Sequence, residues 1–256
     1  MIEFCEMMCD KRMVILLTAC INPNGMSFTK LQDATIRRSQ YELALDFYLS
    51  KTNLKIVFVE NTNTYIGTKY EKYVCEGRLE FITFSGNSYQ KSLGKGYGEA
   101  LIIREAIKQS HIICQCNFIV KITGRLIVEN INALLTEFSW EKKTVAANCS
   151  THGGWVDSYF FIAPCDFFMN YFLKYSFKIN DTVGLGFECV LYNSLLEWVY
   201  CGYCYHQFYH CISVKGVSGS TGARYSNASF LCKTKCLIKG IYINIIKDRH
   251  YVWRTK

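Results

Sequence analysis

The sequence predicts an α/β fold, a mostly parallel sheet flanked by helices, with a basic segment at its C-terminal end. Short apolar runs of strand length alternate along the chain with segments of helical period, the pattern of βαβ units. Half of the 256 residues are hydrophobic and only two are proline, which provides a full core and leaves little room for extended disorder. A chain of this length fills one sizeable α/β domain.

Met13–Cys20 (MVILLTAC) reads as a buried strand closed by the turn signal Asn22-Pro23-Asn24-Gly25. Asp33 is placed to cap a helix on which Tyr41, Ala44, Leu45 and Tyr48 share one face. Lys55–Val59 is the second strand, Leu79–Phe84 the third and Phe118–Ile122 the fourth. Helices are expected over Gly98–Gln109 and Glu129–Phe138, and another strand over Thr144–Ala147. Beyond residue 150 the pattern loosens: an aromatic-rich stretch, Tyr159 to Phe177, precedes a helix expected over Gly186–Tyr200. Residues 1–12 read as an extension ahead of the fold, 13–211 as the main domain, and 212–256 as a segment packing on or extending it. Leu17-Thr18-Ala19-Cys20 has the outline of a lipoprotein cleavage box, but the apolar run before it is short and Glu3, Glu6 and Asp10 sit where signals avoid acids. No uninterrupted apolar stretch is long enough to span a bilayer.

The net charge of +8 is concentrated at one end. Residues 212–256 hold nine cations and one anion, so the first 211 residues are neutral overall. A basic, aromatic end on a neutral body implies an anionic partner. The 14 cysteines are scattered and many sit in apolar runs, which reads as reduced thiols rather than a disulfide framework. A zinc site can be drawn from Cys201-x-x-Cys204 with His206, His210, Cys211, Cys232 and Cys236. No second pair has the tight spacing of a structural zinc motif, so none is expected.

In an open α/β sheet, ligands bind beyond the carboxyl ends of the strands. The polar residues at those ends are Thr18 and Asn22, Glu60 and Asn61, and Thr123, Gly124 and Arg125. Glu60 is placed to accept from a ribose hydroxyl or a base N–H. The Leu93–Glu99 loop (LGKGYGE) feeds a helix; Lys95 supplies a cation, and Gly96 allows the backbone to approach a phosphate. It is neither a P-loop nor a dinucleotide fingerprint.

Thr18–Gly25, Arg38-x-Gln40-Tyr41, Val57-Phe58-Val59-Glu60-Asn61, the GKGYGEA loop and Lys121-Ile122-Thr123-Gly124-Arg125 occur in this order. Trp155-x-Asp157-Ser158-x-Phe160-Phe161, Gly186-Phe187-Glu188 and Gly216-x-Ser218-Gly219-Ser220-Thr221-Gly222 follow. Together they resemble bacterial glycosyltransferases with a GT-A-like, Rossmann-type fold, from capsule, O-antigen and other lipopolysaccharide or surface-polysaccharide loci. The resemblance spans roughly Met13 to Tyr225. It implies a hexosyltransferase with a nucleotide-diphosphate sugar as donor and a glycan or lipid-linked acceptor. Thr18, Asn22, Glu60, Asn61, Lys95, Gly96, Glu99, Lys121, Thr123 and Gly124 would then serve the donor.

One departure bears on the cofactor. The Asp-x-Asp that holds a divalent cation in most GT-A enzymes is absent, and the fourth strand ends in Lys-x-Thr-Gly-Arg. Divalent metal is therefore not expected, and Arg125 and Lys121 are the candidates for neutralising the leaving diphosphate. Lys121 reads equally as half of a structural ion pair. The residue after Arg125, expected to be aromatic, is Leu126. Asp157 and Glu188 are the candidate bases, ahead of His152 and His206. Ser218, Ser220 and Thr221 offer a phosphate or acceptor loop. A cytoplasmic protein in peripheral contact with an anionic membrane is the expected setting. The alternatives are a nucleic-acid-binding module using the C-terminal segment, the less expected partner, and a non-catalytic glycosyltransferase-like subunit.

Overall fold

The computed structural model describes residues 13–27, 29–137, 143–150, 152–219, 221–225 and 229–246. In chain order the elements are β1 (Met13–Ala19), α1 (Ala34–Lys51), β2 (Lys55–Glu60), β3 (Leu79–Thr83), α2 (Lys95–Gln109), β4 (Phe118–Thr123), β5 (Ile127–Val128), α3 (Ile131–Glu137), β6 (Thr144–Ala147), β7 (Phe160–Pro164), α4 (Phe187–Tyr200), β8 (Cys204–Gln207), β9 (Val214–Lys215) and α5 (Phe230–Ile241). The main sheet runs β3-β2-β1-β4-β7-β6-β8, parallel throughout except for β7. The α/β architecture expected from the alternating pattern is therefore present.

β1 is central and apolar on both faces. Val14 and Leu16 join the core under α2 and α4, while Met13, Ile15 and Leu17 join the core under α1 and α3. Such two-sided burial is why the strand reads as a continuous apolar run rather than an alternation. Asp33 caps α1, accepting from the Ile36 N–H at 2.9 Å, and Tyr41, Ala44, Leu45 and Tyr48 are all buried on its inner face.

Two expectations change. The helix placed at Gly98 begins at Lys95, so Gly96 and Gly98 lie in its first turns rather than in a loop. Their role is close packing: a Cβ on Gly96 would sit 3.0 Å from the Phe187 Cβ, and one on Gly98 would sit 2.3 Å from the Tyr89 hydroxyl. The aromatic stretch conceals β7, which inserts antiparallel between β4 and β6. Phe160, Phe161 and Ile162 are fully buried on both faces, so no period-two signal marks them.

The C-terminal segment is built into this body. β9 pairs with β5, and an antiparallel bridge beyond it joins Val217 to Arg224. α5 continues into a widened turn, Tyr242–Ile246, and packs on the outer edge of β8. There the Asn244 side chain takes the place of a missing strand: its Oδ1 accepts from the Gln207 N–H at 2.9 Å and its Nδ2 donates to the Gln207 carbonyl at 2.7 Å. Gly240 allows the close approach, since a Cβ there would meet the Tyr209 ring at 2.7 Å. Asn244→Ala would leave both edge groups buried and unpaired. We expect a loss of about 1–3 kcal/mol, read as a lower urea midpoint with unchanged m-value.

Candidate functional site

A cleft of ≈ 320 Å³ opens at the carboxyl edge of the sheet, above β1, β2 and β4. It lies where the strand order turns from β1-β2-β3 on one side to β4 on the other, the switch point at which α/β sheets bind ligands. Thr18, Asn61, Lys95, Gly96, Glu99, Thr123, Arg125, Asp157, Glu188 and Ser218 line it, as expected from their motifs.

A buried ion pair organises its floor. Lys121 is fully buried, and its Nζ lies 2.5 Å from Glu99 Oε1. The same ammonium donates to the Ser158 carbonyl and lies 3.3 Å from Thr123 Oγ1. Thr18 and Thr123 donate to Glu99 Oε1 at 2.8 and 3.2 Å. Burial alone would push the Glu99 carboxyl up, but the Lys121 ammonium and the hydroxyl donors hold it below the usual carboxylate range. Burial pulls the Lys121 ammonium down, with Glu99 opposing. Of the two readings of Lys121, the structural pair is the one present. Its positive charge is spent inside the protein.

Two guanidiniums are embedded in the cleft wall, Arg37 at 5% exposed and Arg125 at 8%. Arg37 is held by the Cys20 and Leu31 carbonyls and the Tyr41 hydroxyl. Arg125 Nη1 donates to the Val217 carbonyl at 3.0 Å and lies 3.4 Å from Gln40 Oε1. The Nε–H is buried without a partner among the described residues, as is the Asn61 Oδ1. Both atoms are shielded from solvent, although their residues line the cleft. Gly219 lies against the guanidinium, and a Cβ there would fall 2.6 Å from Arg125 Nη2.

The carboxylates come from segments distant in sequence. Asp157 Oδ2 accepts from Asn148 Nδ2 at 2.6 Å and from the Tyr159 hydroxyl at 3.2 Å. Burial nonetheless pushes its pKa up, with those donors opposing. Glu188 stands in the first turn of α4 and accepts from Ser158 Oγ at 2.6 Å. Asp181 also lines the cleft and is raised, by burial first and by the Glu188 charge second. Exposed Trp155 and the rings of Tyr159 and Tyr225, 6.1 Å apart, complete the wall.

Several expected donor residues do other work. Both Glu60 oxygens are taken by the loops after β1 and β2, accepting from the Ile21, Thr62 and Thr64 N–H groups and the Thr62 hydroxyl. Glu60 is fully buried, lies outside the cleft lining and shapes the rim. Asn22 is exposed and also outside it, as is Thr221. Gly124 is a packing residue: a Cβ would sit 2.8 Å from the Thr18 carbonyl and 3.3 Å from the Tyr41 ring. His152 and His206 do not line the cleft. Ser220 lies outside the described residues. Sequence reasoning missed Arg37, whose guanidinium binds the Cys20 carbonyl at 2.7 Å, and Asp181. Arg38, named in the motif, pairs on the surface with Glu42 instead.

No family model matches the sequence, and no curated protein matches it. Among solved structures, the chain is similar to a protein assigned as a nucleotide-diphospho-sugar transferase from Desulfovibrio desulfuricans, with 11% identity, a TM-score of 0.42, and coverage of 76% of this chain and 78% of that one. It is also similar to the glycosyltransferase GlyE of Streptococcus pneumoniae, with 13% identity, a TM-score of 0.45, and coverage of 76% of this chain; it spans only 44% of that protein. A third is the inositol-1-phosphate CTP transferase of T. maritima, with 12% identity, a TM-score of 0.41, and coverage of 89% of this chain and 96% of that one. At these values the similarities assign neither activity nor site residues.

Two outcomes follow from the cleft. Glu99→Gln strands the Lys121 ammonium in the core and should cost about 3–5 kcal/mol, while the Glu99→Gln, Lys121→Met pair should recover most of it. A double-mutant cycle of urea midpoints measures this. Asp157 is raised in the fold from 3.8, so its contribution to stability is complete below about pH 4 and is lost as pH rises through the folded value. Asp157→Asn should therefore melt higher than the parent at neutral pH, with the two melting curves converging in acid.

Proposed function

We propose that the protein is a glycosyltransferase that moves a hexose from a nucleotide-diphosphate sugar to a hydroxyl of a glycan or lipid-linked acceptor, without a divalent metal. The observation that carries the reading is the cleft at the switch point, where the Arg125 guanidinium stands with Lys95, Asp157 and Glu188. A donor diphosphate presents the charge and acceptor oxygens that such a guanidinium binds.

The bond changes are simple. The acceptor hydroxyl oxygen bonds to the anomeric carbon and passes its proton to a cleft carboxylate, while the bond from that carbon to the diphosphate breaks. The leaving nucleoside diphosphate carries away the electron pair, and Arg125, with Lys95 at the N-terminus of α2, stabilises its charge. Asp157 suits the proton acceptor. Its raised pKa gives it more basicity than an ordinary carboxylate, and Asn148 and Tyr159 fix its orientation. Trp155 offers a face on which a sugar ring can stack.

The metal-free form of the reading rests on the end of β4, which supplies Thr123 and Arg125 rather than the acids of an Asp-x-Asp.

The test is transfer and thermal shift across a panel of nucleotide-diphosphate sugars, with and without chelator. Stabilisation and turnover that persist in EDTA support the reading. Binding abolished by EDTA and restored by Mn²⁺ overturns its metal-free form, and no response to any donor overturns the whole. Arg125→Ala should lower kcat by a factor of about 100 or more. Because the side chain is buried, the variant's melting temperature must be recorded beside its rate.

The peripheral membrane setting belongs to the same proposal. Phe230, Leu231, Leu237, Ile238 and Ile241 lie exposed along one face of α5, with Ile245 beyond them. Lys233 and Lys235 flank that face at helical spacing. Lys239, from the same basic segment, points inward to the Cys149 carbonyl and is lowered by burial. No helix among the described residues is long and apolar enough to cross a membrane. Anionic vesicles should sediment the protein at low salt and release it at high salt. Phe230→Ser with Lys233→Glu and Lys235→Glu should abolish sedimentation while leaving donor affinity unchanged. Retention on nucleic acid at physiological salt without vesicle binding would favour the nucleic-acid alternative.

A further inference from the structure

The face of α5 turned toward the body carries cysteines that the cleft does not use. Cys232 and Cys236 are four residues apart, one helical turn, and so share a face. Cys211, on the strand-free segment after β8, approaches them, with its Sγ 3.5 Å from that of Cys232. All three sulfurs lie within 4.8 Å of one another. A tetrahedral zinc site with bonds of about 2.3 Å sets its sulfurs roughly 3.8 Å apart, so the trio already has the size of one triangular face of that tetrahedron.

We infer that Cys211, Cys232 and Cys236 bind a thiophilic divalent cation of the zinc type and thereby clasp α5 onto the segment that follows β8. Three thiolates supply the site, and the fourth position opens toward solvent at exposed Cys232, where water or an external thiol completes it. Binding displaces the thiol protons to solvent, with no change of oxidation state.

Two features support the site. The segment bearing Cys211 is held before the metal arrives: Glu137 Oε2 accepts from the Tyr209 and His210 N–H groups at 3.2 and 3.3 Å. On the other side, Asn130 Nδ2 donates to the Cys211 carbonyl at 3.0 Å and its Oδ1 accepts from the Ser213 N–H at 2.9 Å. α5 is positioned independently by the Gly240 contact and the Asn244 bonds. None of the three cysteines lines the cleft, so the inference stands apart from the proposed transfer chemistry. The tight Cys201-x-x-Cys204 pair, the stronger zinc signal in the sequence, is not part of the cluster.

The experiment uses the full chain, produced in zinc-supplemented cells and purified with a reductant and without chelator. Elemental analysis should find about one equivalent of zinc per chain, and Co²⁺ exchanged for it should show thiolate-to-metal charge-transfer absorption. Cys211→Ser and Cys236→Ser should lose both signals, while Cys201→Ser and Cys204→Ser keep them. Should the serine variants fold poorly, the parent protein supplies the second measurement: chelator should speed tryptic cleavage at Lys233 and Lys235 several-fold, and added zinc should reverse it. The inference is overturned if the folded parent holds no more zinc than a Cys211, Cys232, Cys236 triple-serine variant, if Co²⁺ gives no thiolate absorption, or if mass spectrometry of the reduced preparation finds two of the three joined as a disulfide.

Discussion

The cleft depends on one buried ammonium. Lys121 points from the middle of β4 into the core, where an unpaired charge would be prohibitive, and Glu99 reaches it from the second turn of α2. The same carboxylate oxygen gathers the hydroxyls of Thr18 and Thr123, so the ends of β1 and β4 are tied to one helix at one point. The ammonium also donates to the Ser158 carbonyl, which sets the turn that carries Asp157 and Ser158 into β7. Ser158 in turn orients Glu188. A charge pair that is poor value as a stabiliser is a strict constraint on geometry, and three strands and two helices are registered by it.

With Lys121 neutralised internally, the embedded cations of the cleft are Arg37 and Arg125. The position of Arg125 comes from opposite ends of the chain. β4 delivers the residue, α1 offers Gln40, and the segment after β9 offers the Val217 carbonyl and the space above Gly219. The basic end of the sequence therefore contributes to the cleft through backbone geometry. Among the described residues, none of its cations lines the cleft.

How much of this was legible follows from what each residue type reveals by position. Thr18, Asn61, Thr123 and Arg125 were readable because a polar residue at the carboxyl end of an apolar run has one place to go in a parallel sheet. Glu60 sits at an equivalent position yet spends both oxygens on loop amides, and residue type alone does not distinguish a ligand from a loop organiser. Arg37 and Asp181 were hidden for a different reason: one lies within a helix and the other in a 3₁₀ turn, and only the tertiary fold brings them to the same wall. β7 escaped because full burial erases alternation. The GKGYGEA run was misread because glycine in a helix carries an entropic cost that local rules count against it, while here α2 must pack against Phe187 and Tyr89.

α5 shows how a single amphipathic pattern serves two surfaces. On an ordinary surface helix the apolar stripe faces the core and the charges face water. In α5 the large apolar side chains face outward, and the side toward the body holds Cys232, Cys236, Lys239 and Gly240. Within Phe230–Ile241 no large apolar side chain is buried, and the apolar anchor is Ile243 in the widened turn that follows. Specific bonds add to it: Lys239 to the Cys149 carbonyl and Asn244 to Gln207. Directional contacts fix orientation more sharply than apolar ones, and they keep the outward stripe from turning inward. An exposed apolar stripe flanked by lysines carries an aggregation cost unless another surface covers it, and the bonds on the opposite side hold it outward.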